Sequence, residues 1–201
     1  MTDMSRLGID FAGVHFKNPI VPASGTFGYG KEFEEFYPLS ELGGISVKGT
    51  TGTRRNGNLP PRIAETPSGM LNSVGLQNPG IDHFIAEELP YLKTKDTIII
   101  ANIAGSTAEE YREIAEKLDS TDVDMIEVNI SCPNVKAGGA AFGVSCEGAA
   151  HITSIVRKAT KKPVMMKLSP NVTSIADIAK ACDKVNAKDI FVFPNNKNII
   201  L

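Results

Sequence analysis

The stretch from Thr97 to Ile130 leaves this chain little choice of architecture. It begins with Thr97-Ile98-Ile99-Ile100-Ala101-Asn102-Ile103, a continuous apolar run that predicts a strand buried on both faces, as in a parallel sheet. Thr107-x-x-Glu110 follows as a capping box, and Ala108, Tyr111, Ile114, Ala115 and Leu118 supply the helical stripe behind it. Met125 to Ile130 is then a second apolar strand. Parallel neighbours need a crossover of about a dozen residues, and this helix provides one. The unit recurs. A helix from about Glu147 carries Ile152, Ile155, Val156 and Ala159 inward, and Pro163 to Leu168 is the next strand. A helix capped near Thr173 shows Ile175, Ile178, Ala179, Cys182 and Val185 on one face, and Asp189 to Phe193 begins a further strand.

Upstream, Leu7 to Phe11 and Val14 to Phe16 are short alternating runs joined at Ala12-Gly13 and predict a hairpin. Ile20 to Gly25 reads as an apolar strand ending in small residues that let a ligand approach the backbone. Phe33, Phe36 and Leu39 suggest a short helix, after which Gly43-Gly44 opens a strand over Ile45 to Lys48. From Thr50 to Asn78 the helical period is lost, and so long a connection is more often functional than idle. Asn78-Pro79 then starts a helix with Ile81, Phe84, Ile85 and Leu92 on its inner face. The total is five strand–helix units and one further strand. This predicts an α/β fold of the parallel (β/α)8 barrel type, with an N-terminal hairpin, incomplete here because a full barrel has eight units in about 250 residues. An open doubly wound sheet is the alternative, but no Gly-rich fingerprint follows the first strand.

With 42% hydrophobic and 22% charged residues among 201, the chain can bury a core and reads as one partial domain over residues 1–201. A formal net charge of -2 and the lack of a long basic run give no footprint for nucleic acid or an anionic membrane. No spanning segment or signal peptide is visible, so a cytoplasmic location is the default expectation. The three cysteines, Cys132, Cys146 and Cys182, have no metal-ligand spacing, and no metal site is expected.

The chemistry concentrates at strand ends. Pro133 stops the strand that Met125 begins, so Cys132 projects from a fixed backbone between Asn129 and Asn134, whose amides suit a planar polar ligand. That is a proton-transfer site, or else a small buried hydrophobe at a strand end. Lys48 ends its strand, where a solvated charge is the usual reading. Lys167 falls inside an apolar run, and burying an ammonium is costly, so it should meet an anion or an electron-rich group. His151 reads as a surface or interface residue and Cys182 as a packing residue.

Taken together, Asn18 to Gly28, Lys48-Gly49-Thr50, Asn72 to Asn78, Ala101 to Gly105, Asn129 to Gly143 and Lys167 to Val172 resemble the dihydroorotate dehydrogenase family, flavin enzymes of pyrimidine synthesis. Cysteine rather than serine at 132 resembles the soluble class. Asn134-Val135-Lys136-x-Gly138-Gly139-x-x-Phe142-Gly143 resembles the NAD-linked branch. The resemblance implies oxidation of dihydroorotate to orotate, with Cys132 as base and FMN as hydride acceptor. It implies substrate contacts from Lys48, Asn72, Ser73, Val74, Gly75, Leu76, Asn129 and Asn134, and FMN contacts from Ser24, Lys48, Gly49, Asn102, Asn129 and Lys167. An iron–sulfur and FAD electron-transfer subunit and a homo-oligomer are the implied partners.

After Val185 the sequence departs from the family's pattern, and residues 186–201 form an atypical tail that resembles a frameshifted or prematurely ended reading frame. The strands that hold the flavin phosphate in a barrel are then expected to be missing. Two other readings stay open: an FMN barrel acting on other pyrimidines, like dihydropyrimidine dehydrogenase, and an inactive half-barrel.

Overall fold

The computed structural model describes residues 4–131, 140–185 and 191–194. A 3-10 turn, Met4–Leu7, leads into an antiparallel hairpin of β1 (Ile9–Phe11) and β2 (Val14–Phe16), with Ala12 and Gly13 both at positive φ in its two-residue turn. The predicted strand from Ile20 to Gly25 is not formed. Pro22 removes a ladder donor, residues 20–23 form no strand, and after Ala23, whose backbone is extended, Ser24–Phe27 closes into a single helical turn, α1. The short helix expected around Phe33, Phe36 and Leu39 is instead two 3-10 turns, Lys31–Glu35 and Leu39–Glu41, and Phe36 lies outside the core at 79% exposure.

The strand opened by the glycine pair is β3 (Gly44–Ser46). The long connection after it holds an exposed antiparallel hairpin that the sequence reading did not contain, β4 (Ile63–Thr66) and β5 (Gly69–Asn72). The helix expected after Asn78 is one run in three parts: α2 (Ile81–His83), a π turn (Phe84–Glu88) and α3 (Leu89–Lys93). Pro90 near the start of α3 lacks an amide hydrogen, and the wider π turn before it accommodates that missing bond. The regular part follows as predicted, with β6 (Ile98–Ile103), α4 (Ala108–Asp119) and β7 (Met125–Asn129), then one short helical turn that was not predicted, α5 (Ala140–Gly143), and again as predicted α6 (Cys146–Ala159), β8 (Val164–Leu168), α7 (Ile175–Asp183) and β9 (Phe191–Pro194).

Hydroxyl caps start the three long helices. Thr107 accepts from the Glu110 amide, Ser145 from Gly148 and Ser174 from Asp177, the last one residue beyond the expected Thr173. The capping box is only half made. The Glu110 carboxylate turns to the amides of Ser106 and Gly52 and to Arg55, and so ties the loop after β3 to the turn after β6.

The main sheet is parallel, and its order β3-β6-β7-β8-β9 is the order of the sequence. A doubly wound sheet reverses direction at a switch point. Among the described residues this one does not, and it winds as a barrel does. Among the described residues it has five strands where the sequence suggested six, because the segment from Ile20 supplies none. Both faces are buried by different partners. Ile45, Ile99, Ile103, Ile126, Val128 and Met166 pack outward against Phe84, Leu92, Tyr111, Ile114, Ile152 and Cys182 of the helices. Ile100, Met125 and Met165 point inward and are closed from below by Phe16, with Phe11 and Val14 of the hairpin against them. Burial raises the Cys182 thiol pKa, as a packing role requires. Among the described residues no helix is long and apolar enough to cross a membrane.

Candidate active site

Parallel pairing sets the strand ends side by side. Register places Asn102 opposite Glu127, and Asn129 opposite Lys167. Above the apolar floor of Ile100, Met125 and Met165, the inner face therefore turns polar. Four side chains read from the sequence meet there. Lys167 Nζ donates to Ser24 Oγ at 3.1 Å, Asn102 Nδ2 donates to the same oxygen at 3.1 Å, and Asn129 Nδ2 lies 3.5 Å from Asn102 Oδ1. Ser24, Asn102 and Asn129 are buried. A cavity of about 380 Å³ opens beside them, lined in part by Phe11, Phe16, Ser24, Ser46, Glu127 and Lys167.

The sequence reading passed over Glu127. It is 6% exposed, and its carboxylate accepts from Ser24 Oγ at 3.2 Å, from Ser46 Oγ at 2.8 Å and, at short range, from Asn102 Nδ2. The signal was available, since an acidic residue inside the apolar strand from Met125 is as anomalous as Lys167 inside its own.

Gly49 joins the cluster by close approach. A Cβ there would sit 2.7 Å from Asn102 Oδ1 and 3.5 Å from Leu76, so only a bare backbone lets β3's end, Asn102 and the loop at Leu76 converge. Lys48 is half-buried beside it, its amide donating to the Gly28 carbonyl at 2.8 Å. Tyr29 Oη contacts Thr50 Oγ1 at 3.4 Å, and desolvation pushes its pKa up to about 12, which keeps it a neutral hydroxyl. Val74, Gly75 and Leu76 are half-buried. Asn72 and Ser73, in contrast, are exposed at the end of β5. The bonds of Ser73 run to Asn58 and Arg62, away from the polar cluster. Cys132 and Asn134 lie outside the described residues.

The stem that leads toward Cys132 is anchored. Tyr111, fully buried on α4, donates its hydroxyl to the Asn129 carbonyl at 2.7 Å, and Asn129 Oδ1 accepts from the Ser131 amide and hydroxyl at 3.1 and 2.9 Å. Tyr111→Phe removes the donor and leaves a buried carbonyl short of a partner, so it should cost about 1–2 kcal/mol in urea unfolding. A loss below about 0.3 kcal/mol would show the bond to be idle.

A model of the family described as dihydroorotate dehydrogenase matches residues 6–199. The chain belongs to that family. The match reaches past Val185, into the tail set apart by its sequence. Among curated relatives, the dihydroorotate dehydrogenase B (NAD(+)) catalytic subunit of Petrotoga mobilis is 54% identical over 179 residues, covering 89% of this chain and 60% of the relative. That of Anoxybacillus flavithermus is 54% identical over 185 residues, covering 92% and 59%. The chain thus spans about three fifths of the length of the relatives it matches. Among solved structures, dihydroorotate dehydrogenase of Eimeria tenella, determined in complex with ferulenol, shares the fold with a TM-score of 0.76 at 18% identity, over 92% of this chain and 59% of that one.

Proposed function

We propose that the chain is the substrate-oxidising part of a dihydroorotate dehydrogenase of the NAD-linked branch, converting dihydroorotate to orotate in pyrimidine synthesis. The observation that carries the reading is the convergence of one ammonium, Lys167, with the amides Asn102 and Asn129 at the carboxyl ends of adjacent parallel strands, where barrels place their chemistry. The donor set suits FMN: a cation and amides meet the polar edge of a flat ring, and the bare backbone at Gly49 lets Asn102 approach the end of its neighbouring strand. Ser24, Lys48, Gly49, Asn102, Asn129 and Lys167 would hold it. When bound, FMN supplies the hydride acceptor.

This chain's own residues do the rest. Lys48 meets the substrate carboxylate, while Asn72, Asn129, Asn134 and the segment from Ser73 to Leu76 read the pyrimidine edge. Cys132 takes the ring-carbon proton, which requires its thiolate. For Asn72 and Ser73 to take part, the exposed hairpin of β4 and β5 must turn its end over the cluster. Lys167 would place its ammonium at the polar edge of the ring, where it suits negative charge. An iron–sulfur and FAD subunit as the electron partner, a homo-oligomer and a cytoplasmic location belong to the same proposal.

The test is made on these residues extended to the length of the relatives. Dihydroorotate should bleach the bound flavin anaerobically and yield orotate, and dihydrouracil should not. Preference for dihydrouracil would replace the reading with another pyrimidine oxidoreductase, and absence of flavin would leave a non-catalytic barrel. The 201 residues by themselves should carry well under one FMN per chain, because the phosphate site of such barrels follows the seventh and eighth strands and the described sheet has five.

A further inference from the structure

A carboxylate can only accept hydrogen bonds, and that dictates the direction of every bond around Glu127. Ser46 and Ser24 must both point their hydroxyl protons at it. Asn102 must present its nitrogen, which leaves Oδ1 facing Asn129 and Gly49. With its proton committed, the Ser24 oxygen has two lone pairs left, and it spends them on Lys167 and Asn102. Ser24 is thereby saturated, and it bridges a buried anion to the ammonium of Lys167. Were position 127 neutral, the direction of the serine proton would no longer be determined, and the Asn102 amide would be oriented from the Asn129 side alone.

We propose that Glu127 is the positioning residue of this site. Through Ser24 it holds the Lys167 ammonium, and directly it holds the Asn102 amide, in the orientation an electron-rich ring ligand meets. That the ligand is a flavin rests on the function proposed above. That Glu127 holds Lys167 is a property of the chain itself.

The test reads Lys167 without any cofactor. The chain is treated with limiting acetic anhydride, and acetylation of Lys167 is measured by mass spectrometry relative to Lys162. Lys162 is an internal standard, because its ammonium is held at the other end of the strands by the carbonyls of Thr121 and Val123. Glu127→Gln keeps the shape and removes the charge, so it should raise the Lys167-to-Lys162 ratio by roughly tenfold, the scale of one lost charge-assisted bond. Ser24→Ala should raise the ratio similarly, and the double variant should add little, because both changes cut one chain of bonds. Should Glu127→Gln not fold, Glu127→Asp takes its place, because it keeps the charge but shortens the reach to Ser24 and should raise the ratio in the same direction.

An unchanged ratio would overturn the proposal. So would a parallel rise at both lysines, which signals general loosening, or additive effects of the two changes, which would mean that Glu127 does not act through Ser24. Failure of the flavin reading appears separately, as a chain of the relatives' length that takes up no FMN while the labelling ratio still responds.

Discussion

Replacing Cys132 by serine, in the chain extended to the length of its relatives, is expected to slow dihydroorotate oxidation by ~10²-fold or more near neutral pH. A serine hydroxyl is a far weaker base than a thiolate, and the change alters neither the strand nor the asparagines that flank it. Cys146 and Cys182 provide the control. Cys146 is exposed at the first turn of α6, and Cys182 is buried on α7 against Thr153, remote from the polar cluster. Cys146→Ser and Cys182→Ser should leave the rate nearly unchanged. Steady-state rates of the three variants settle the matter: equal losses in all three would remove Cys132 from the role of base.

Gly43→Ala should be the most destabilising single-methyl change near the site. A Cβ at Gly43 would lie 1.8 Å from the carbonyl oxygen of Asn18 and 2.8 Å from its carbon, a clash with backbone that no side-chain rotation relieves. The same glycine donates its amide to Asn18 Oδ1 and to the Ile20 carbonyl, while Asn18 Nδ2 returns to the Glu41 carbonyl at 2.9 Å. That buried clamp fastens the segment leading to Ser24 onto the start of β3. Forcing the two apart should cost about 3 kcal/mol or more, read as a lower urea midpoint with an unchanged slope. Gly44→Ala is the comparison. Its Cβ would meet the Phe16 ring at 2.9 Å, and a ring can move, so the loss should be clearly smaller. A Gly43→Ala variant within about 0.5 kcal/mol of the parent would show the contact to be soft.

The regular half of the fold was legible because its signals are local. Thr97 to Ile103 lacks alternation, Thr107 caps, and Tyr111, Ile114 and Leu118 recur at helical spacing, so β6 and α4 follow from side chains a few residues apart. The first third was harder. Ile20 to Ala23 has the composition of a strand, but strand formation depends on a neighbour that accepts and donates along its length, and Pro22 weakens that pairing. The hairpin of β4 and β5 escaped because its strands are wholly exposed and have no buried face to impose a pattern.

For the site, the sequence by itself determined which residues stand at strand ends, and it marked Lys167 as an ammonium in need of a partner. What that partner is, only the tertiary structure decided. Ser24 lies 143 positions from Lys167, and Glu127 lies 81 positions from Ser46 and 103 from Ser24. No periodicity links residues so far apart. They meet because parallel register sets Asn102 beside Glu127 and Asn129 beside Lys167, while the hairpin and the Asn18 clamp bring Ser24 in from another part of the chain. A charge buried in a strand announces that a network must exist, but the members of that network are chosen by the packing that brings distant segments within hydrogen-bond reach.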